Sequence, residues 1–123
     1  GAFALYAATT NGDATAVGSS AGRYATGGGG VYIGSHAGYN TTTGGNINAF
    51  GNGALYANST GMSNHAFGTA ALYNNTTGSN NNFFGKCAGY CITTGSCNNF
   101  FGQSAGYNNT TGFNNNFFVI CTN

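Results

Sequence analysis

The stretch NNTTGSNNNFFGKCAGY, Asn74 to Tyr90, decides the fold, because the chain writes it more than once. It returns as NNTTGFNNNFFVICTN from Asn108 to Asn123 and, more loosely, as NTTTGGNINAFGNGALY from Asn40 to Tyr56. Aligned on the apolar residue that precedes a glycine, the repeat falls at Val17, Ile33, Phe50, Phe67, Phe84, Phe101 and Phe118, with one interval of 16 residues and five of 17. The following glycine is Gly18, Gly34, Gly51, Gly68, Gly85 and Gly102, and an alanine stands three places later each time. A tyrosine column follows at Tyr39, Tyr56, Tyr73, Tyr90 and Tyr107, with Tyr24 one place late.

A unit of this length cannot bury an apolar face alone and must stack on its neighbours. Helical repeats need about 33 residues or more and leucine-rich repeats 20 or more, and Gly, Asn and Thr are poor helix formers. The period therefore predicts an all-β fold, a parallel β-solenoid of about seven coils with two short strands per coil. One strand is expected over Asn80–Phe84, a bend at Gly85, a second strand over Cys87–Tyr90, and a wider return through NNTTG. At the usual strand spacing the stack is roughly 34 Å long. The whole chain reads as a single solenoid domain, 1–123, with irregular coils over 1–33 and regular 17-residue coils over 34–123. At the end Val119 stands where the other units have glycine, and the expectation is an open coil, available to a further repeat or another subunit.

Alternation along the strand assigns faces. Val17, Ile33, Phe50, Phe67, Phe84, Phe101 and Phe118 are taken as the inward core column. Their neighbours Phe83, Phe100 and Phe117 then point outward, as an apolar file that a monomer rarely leaves bare, and are expected to form a lateral interface.

Only Arg23, Lys86 and Asp13 carry full charge, 2% of the chain against about a quarter in ordinary domains. With 41% of residues apolar, a core is affordable and disorder is not expected. Near-zero net charge favours association, so the expected partner is the chain itself. Two basic residues give no footprint for nucleic acid, and no apolar run is long enough for a membrane span. The chain begins GAFALYAATT without a Met or a basic leader, as a processed or excerpted sequence does.

The motifs favour structure over chemistry. Paired-carboxylate catalysis needs two acids, and Asp13 stands alone. His36 and His65 occupy different registers, which disfavours a Ser-His-Asp arrangement. The repeated Asp ladders of calcium-loaded solenoids are absent, and TGGGGVYIG fails the phosphate-loop pattern. No catalytic residue, metal ligand or cofactor is expected. Cys91 and Cys97 flank one turn and are favoured as a disulfide over a reduced pair. Cys87 and Cys121 share a register two coils apart, roughly 9.6 Å by strand spacing, which is beyond bridging reach. Asn40, Asn58, Asn74, Asn75, Asn108 and Asn109 satisfy the N-x-S/T acceptor pattern and are candidate glycosylation sites, or else plain turn residues. Tyr39, Tyr56, Tyr73, Tyr90 and Tyr107 either pack at a corner or present an aromatic strip to carbohydrate. Two threonine columns raise ice binding, which the curved, glycine-bearing turn disfavours.

ALYANSTGMSNHAFGTAALYNNTTGSNNNFFG, from Ala54 to Gly85, resembles the ALYxNTTGxxNTAxGxxAL repeats of bacterial surface proteins and phage tail-fibre-like proteins. The NAFG, HAFG and NFFG elements are also similar to the NSVAIG motif in YadA-like trimeric autotransporter adhesin heads. The resemblance covers most of the chain, clearly from Val31 onward. It implies a left-handed β-roll, a homo-oligomer (trimer or filament), and a place outside the cell, on a cell surface or a virion appendage. It supplies no catalytic residue. The expected function is a structural, self-assembling segment of an extracellular fibre. The alternative is an adhesin or tail-fibre head that binds surface glycans.

Overall fold

A computed structural model describes residues 1–9 and 13–119. The chain is a parallel β-solenoid with no helix among the described residues. Among the described residues seven strands form one sheet in chain order: β1 (Thr15–Val17), β2 (Gly30–Ile33), β3 (Ile47–Phe50), β4 (His65–Phe67), β5 (Asn82–Phe84), β6 (Asn99–Phe101) and β7 (Asn116–Phe118). Every neighbouring pair is parallel and in register, so that Phe50 pairs with Phe67, then Phe84, Phe101 and Phe118. The repeat register of the sequence is thus the sheet register.

Each coil supplies one strand where two were expected. Cys87–Tyr90 forms turns, because Cys87 and Gly89 take left-handed φ of 57° and 60° that an extended strand cannot hold. The turns still stack: Leu55 N–H donates to Ala71 O, Leu72 N–H to Ala88 O and Gly89 N–H to Ala105 O, all at 2.9 Å. The glycine after each of β1 to β6 has φ between 125° and 141°, and a Cβ on Gly68 would lie 2.6 Å from the Gly85 backbone of the next coil. Sterics therefore require glycine there twice over, for conformation and for approach.

The two strand faces are the reverse of the sequence expectation. Phe83 and Phe100 are fully buried, as are Tyr32, Ala49 and Ala66 in the same column, whereas Val17 is 56%, Ile33 37%, Phe84 37% and Phe118 67% exposed. The exceptions in the buried column are its two ends, Phe117, exposed by 45% in the last described strand, and Ala16, partly buried in the first. The physical reason lies across the coil. Where the strand carries Ala49 or Ala66, the facing turn carries the fully buried Leu55 or Leu72. Where it carries Tyr32, Phe83 or Phe100, the turn carries Gly38, Gly89 or Gly106, and a Cβ on each of these glycines would collide with the ring. From β2 to β6 large and small alternate so that each layer holds a similar volume, as close packing demands. At β1, where Ala16 meets Gly22, the Tyr32 and Leu5 side chains of the neighbouring coils come close to Gly22. The invariant phenylalanine column needs no such partner because it lies outside.

An asparagine ladder closes the other end of the core. Asn64, Asn75, Asn81 and Asn98 are fully buried. The side-chain N–H of Asn81 donates to Asn64 Oδ1 (3.1 Å) and Gly95 O (2.8 Å), while its own Oδ1 accepts from the backbone and side chain of Asn98. The amides of Asn64, Asn81 and Asn98 are thus satisfied by the coils beside them, which is what burial of a polar group requires. Asn75 donates from its nitrogen but leaves its Oδ1 without a partner. Thr42, Ser59, Thr76 and Thr93 brace the return turn, each hydroxyl donating to the carbonyl of the next coil.

Candidate functional site

Two aromatic files run along the outside of the stack. On the outer face of the sheet the rings of Phe50, Phe67, Phe84, Phe101 and Phe118 stack with centroids 4.6–5.0 Å apart and planes within 3–8° of parallel. Ile33 and Val17 continue the file. Two residues earlier on the same face is an amide file: Asn48 donates to His65 Nδ1 (2.8 Å), Asn82 to Asn99 (2.7 Å) and Asn99 to Asn116 (2.8 Å). Together they make a strip with one apolar flank and one polar flank. The lateral-interface candidates Phe83 and Phe100 do not lie on it, since both rings are in the core.

The second file is the tyrosine column. Tyr39, Tyr56, Tyr73, Tyr90 and Tyr107 stack at 4.8–5.3 Å, with planes within 1–13°. The next rung below Tyr39 is Arg23, and the register continues to Tyr6. The Arg23 guanidinium lies 5.3 Å from the Tyr6 ring centroid and 5.9 Å from that of Tyr39, a cation–π rung in a phenol ladder. Sequence reading missed this rung by tracking tyrosine as a letter; Arg23 is the residue at the ladder's register, and Tyr24 packs edge-on against Tyr39. A hydrogen bond with Tyr24 and burial hold the Tyr39 phenol above its ordinary range. Burial and neighbouring phenols raise Tyr73. Burial, with Cys91, Tyr90 and Cys87 nearby, raises Tyr107. Inside the core, burial pushes Tyr32 up to about 12, with Thr41 offsetting it in part.

Stacking decides what the tyrosine file can offer. From Tyr39 to Tyr90 each ring's faces are occupied by the rungs above and below, so the edges and hydroxyls are what solvent meets. Of these five tyrosines only the end rung Tyr107 is exposed, by 39%. A groove of about 260 Å³ beside it is lined by His36, Asn52, Gly53, Tyr56 and Tyr73. A second groove, about 420 Å³, brings Asp13 and His65 to one place with Asn46 and Asn48. Its lining contains no serine, cysteine or lysine, so no nucleophile joins that carboxylate and imidazole. His36 lies on the other groove, 5.2 Å from the Tyr39 ring centroid. Among the described residues no cluster of three or more His, Cys, Asp or Glu could hold a metal. No helix there is long and apolar enough to cross a membrane.

The remaining candidates separate on burial. Cys91 and Cys97 are both free, and the expected disulfide is not formed. Each cysteine is tied to a different neighbouring coil, Cys91 N–H to Tyr107 O and Cys97 N–H to Ser79 O, and Ile92 between them turns into the core. Cys87 is also free, and Cys121 lies outside the described residues. Of the glycosylation candidates, Asn58 and Asn75 are fully buried. Their side-chain amides donate to Gly61 O (Asn58) and to Asn58 Oδ1 and Gly78 O (Asn75), which leaves no acceptor nitrogen for a sugar. Asn74 donates to Tyr90 O and Asn109 accepts from Gly112 N–H. Asn40 is half-buried and Asn108 exposed.

No family model, no curated protein and no solved structure matches this chain.

Proposed function

We propose that the chain is a non-enzymatic structural segment that self-assembles into an extracellular fibre, filament or appendage on a cell surface or virion. The observation that carries this reading is that every column of the fold repeats along the axis: sheet register, amide ladder, hydroxyl brace and both aromatic files advance one rung per coil. Catalytic sites depend on unlike residues converging at one point, whereas a periodic surface suits a partner or neighbour with the same period. The near-absence of charge supports the same conclusion, since little opposes contact between copies. The extracellular placement rests on composition and on the resemblance to surface and tail-fibre repeats. The cysteines no longer support it, because no bond joins Cys91 to Cys97.

The second reading is a glycan-binding head, favoured by the tyrosine file and the groove at His36, Tyr56 and Tyr73. It is the weaker of the two because sugars stack on aromatic faces, and these faces are covered by other rungs. Ice binding is weaker still, because it needs a flat two-dimensional array. Only Thr43, Thr60, Thr77, Thr94 and Thr111 form a file exposed throughout, and in the adjacent column Thr76 and Thr93 are half-buried with their hydroxyls donating to the next coil. Electron micrographs of the purified chain test the proposal. Filaments, bundles or discrete oligomers are expected. Monomers, combined with glycan binding that Tyr73→Ala abolishes, would transfer the case to the second reading.

A further inference from the structure

We infer that the outer strip of the sheet is the docking surface for a second copy of this chain, phenylalanine file against phenylalanine file. The inference rests on the self-assembly proposed above and names the surface that performs it.

Val17, Ile33, Phe50, Phe67, Phe84, Phe101 and Phe118 form one unbroken apolar ridge, exposed by 37–67% at Val17, Ile33, Phe84 and Phe118 and half-buried at Phe50, Phe67 and Phe101. At the usual area of such side chains the four exposed members leave roughly 70 Å² or more each and the half-buried ones less, so that the ridge leaves on the order of 500 Å² bare. That is near the top of what monomeric proteins expose. Two facing ridges would remove about 1,000 Å² from water, the area at which a specific interface becomes credible.

Three features point to a second copy as the occupant. From Val31 to Phe118 the strip carries no charged side chain, so two copies meet without repulsion. The flanking amides Asn82 and Asn99 already donate along the axis, so covering them leaves those hydrogen bonds intact. Above all, the ridge is a grating with a 4.6–5.0 Å period. A partner with an irregular surface matches a few rungs, whereas another copy matches them all.

Sedimentation velocity across a wide concentration range tests the inference on three variants. Phe67→Ser/Phe84→Ser should weaken association at least about tenfold with the circular dichroism spectrum unchanged. Asn82→Lys, which sets a charge on the strip while leaving the core alone, should abolish association at low salt and regain it at high salt. Gln103→Lys adds the same charge at an exposed position off the strip and should associate as wild type. If the double serine variant fails to fold, Asn82→Lys decides alone. Wild-type association that neither strip variant weakens would overturn the strip and leave self-assembly standing. A wild-type chain that stays monomeric throughout would overturn both.

Discussion

Replacing Gly89 by Leu should damage the protein, and replacing Phe83 by Ala as well should repair much of that damage. Phe83 is fully buried, with its ring centroid 4.6 Å from that of Phe100. Its removal alone should cost about 4 kcal/mol, the usual range for a large aromatic in a core. Gly89→Leu alone drives a side chain into the Phe83 ring, which overpacks the layer by about 2 kcal/mol. A left-handed leucine adds about 1 kcal/mol more. Together, however, they rebuild the arrangement one coil below, where Ala66 faces Leu72 and Leu72 holds φ of 51°. The double variant should therefore be at least about 3 kcal/mol more stable than the sum of the single losses predicts, a large coupling for one pair. Urea unfolding of the four proteins, followed by both circular dichroism and tyrosine fluorescence, measures it. Additive losses, or a Gly89→Leu variant as stable as wild type, would refute the volume exchange.

Four further predictions concern other parts of the stack. Asn81→Ala removes an amide with hydrogen bonds to both neighbouring coils and should cost about 3 kcal/mol in urea unfolding. Ile92→Asn should cost less than about 1 kcal/mol, unusually little for a core polar substitution, because it offers a donor to the buried, unpartnered Asn75 Oδ1 one coil away. Tyr32 keeps its proton when folded until about pH 12, against an ordinary value of 10.0. Its contribution is therefore intact below pH 10 and is lost as pH rises from about 10 to 12, at about 1.4 kcal/mol per unit. Tyr32→Phe should narrow the fall in stability over that window by about 3 kcal/mol in pH-dependent unfolding. Reducing agent should leave the unfolding midpoint unchanged, and the exposed Cys97 should alkylate faster than Cys87 or Cys91 in a mass-spectrometric time course.

The period and the sheet register were legible in the sequence because parallel in-register stacking places identical letters at one interval. The tyrosine file was legible for the same reason. The inside of the coil was not, because it was sought in the column with the least variation. Packing conserves the volume of a layer, not the identity of a residue. The signal was present as paired changes: NAF with ALY and HAF with ALY, but NFF with AGY twice and VYI with AGY once. Reading those pairs together would have put Phe83 inside and Phe84 outside. Cys91 and Cys97 misled because closeness along a turn says nothing of which neighbouring coil holds each backbone. The buried amides were visible as asparagines, but Asn58 and Asn75 were read as glycosylation candidates or turn residues and Asn81 as part of a strand. Only the closed coil shows that Asn58, Asn75 and Asn81 point into it.

Hydroxyl-radical footprinting with residue-level mass spectrometry, on dilute and on assembled protein, tests the central claim most directly. Phe67 and Phe84 should be modified in the dilute chain and protected in the assembly, while Phe83 and Phe100 stay silent in both. Modification of Phe83 with Phe84 silent would reverse the faces, and equal modification of Phe84 in both states would contradict a ridge covered by a second copy.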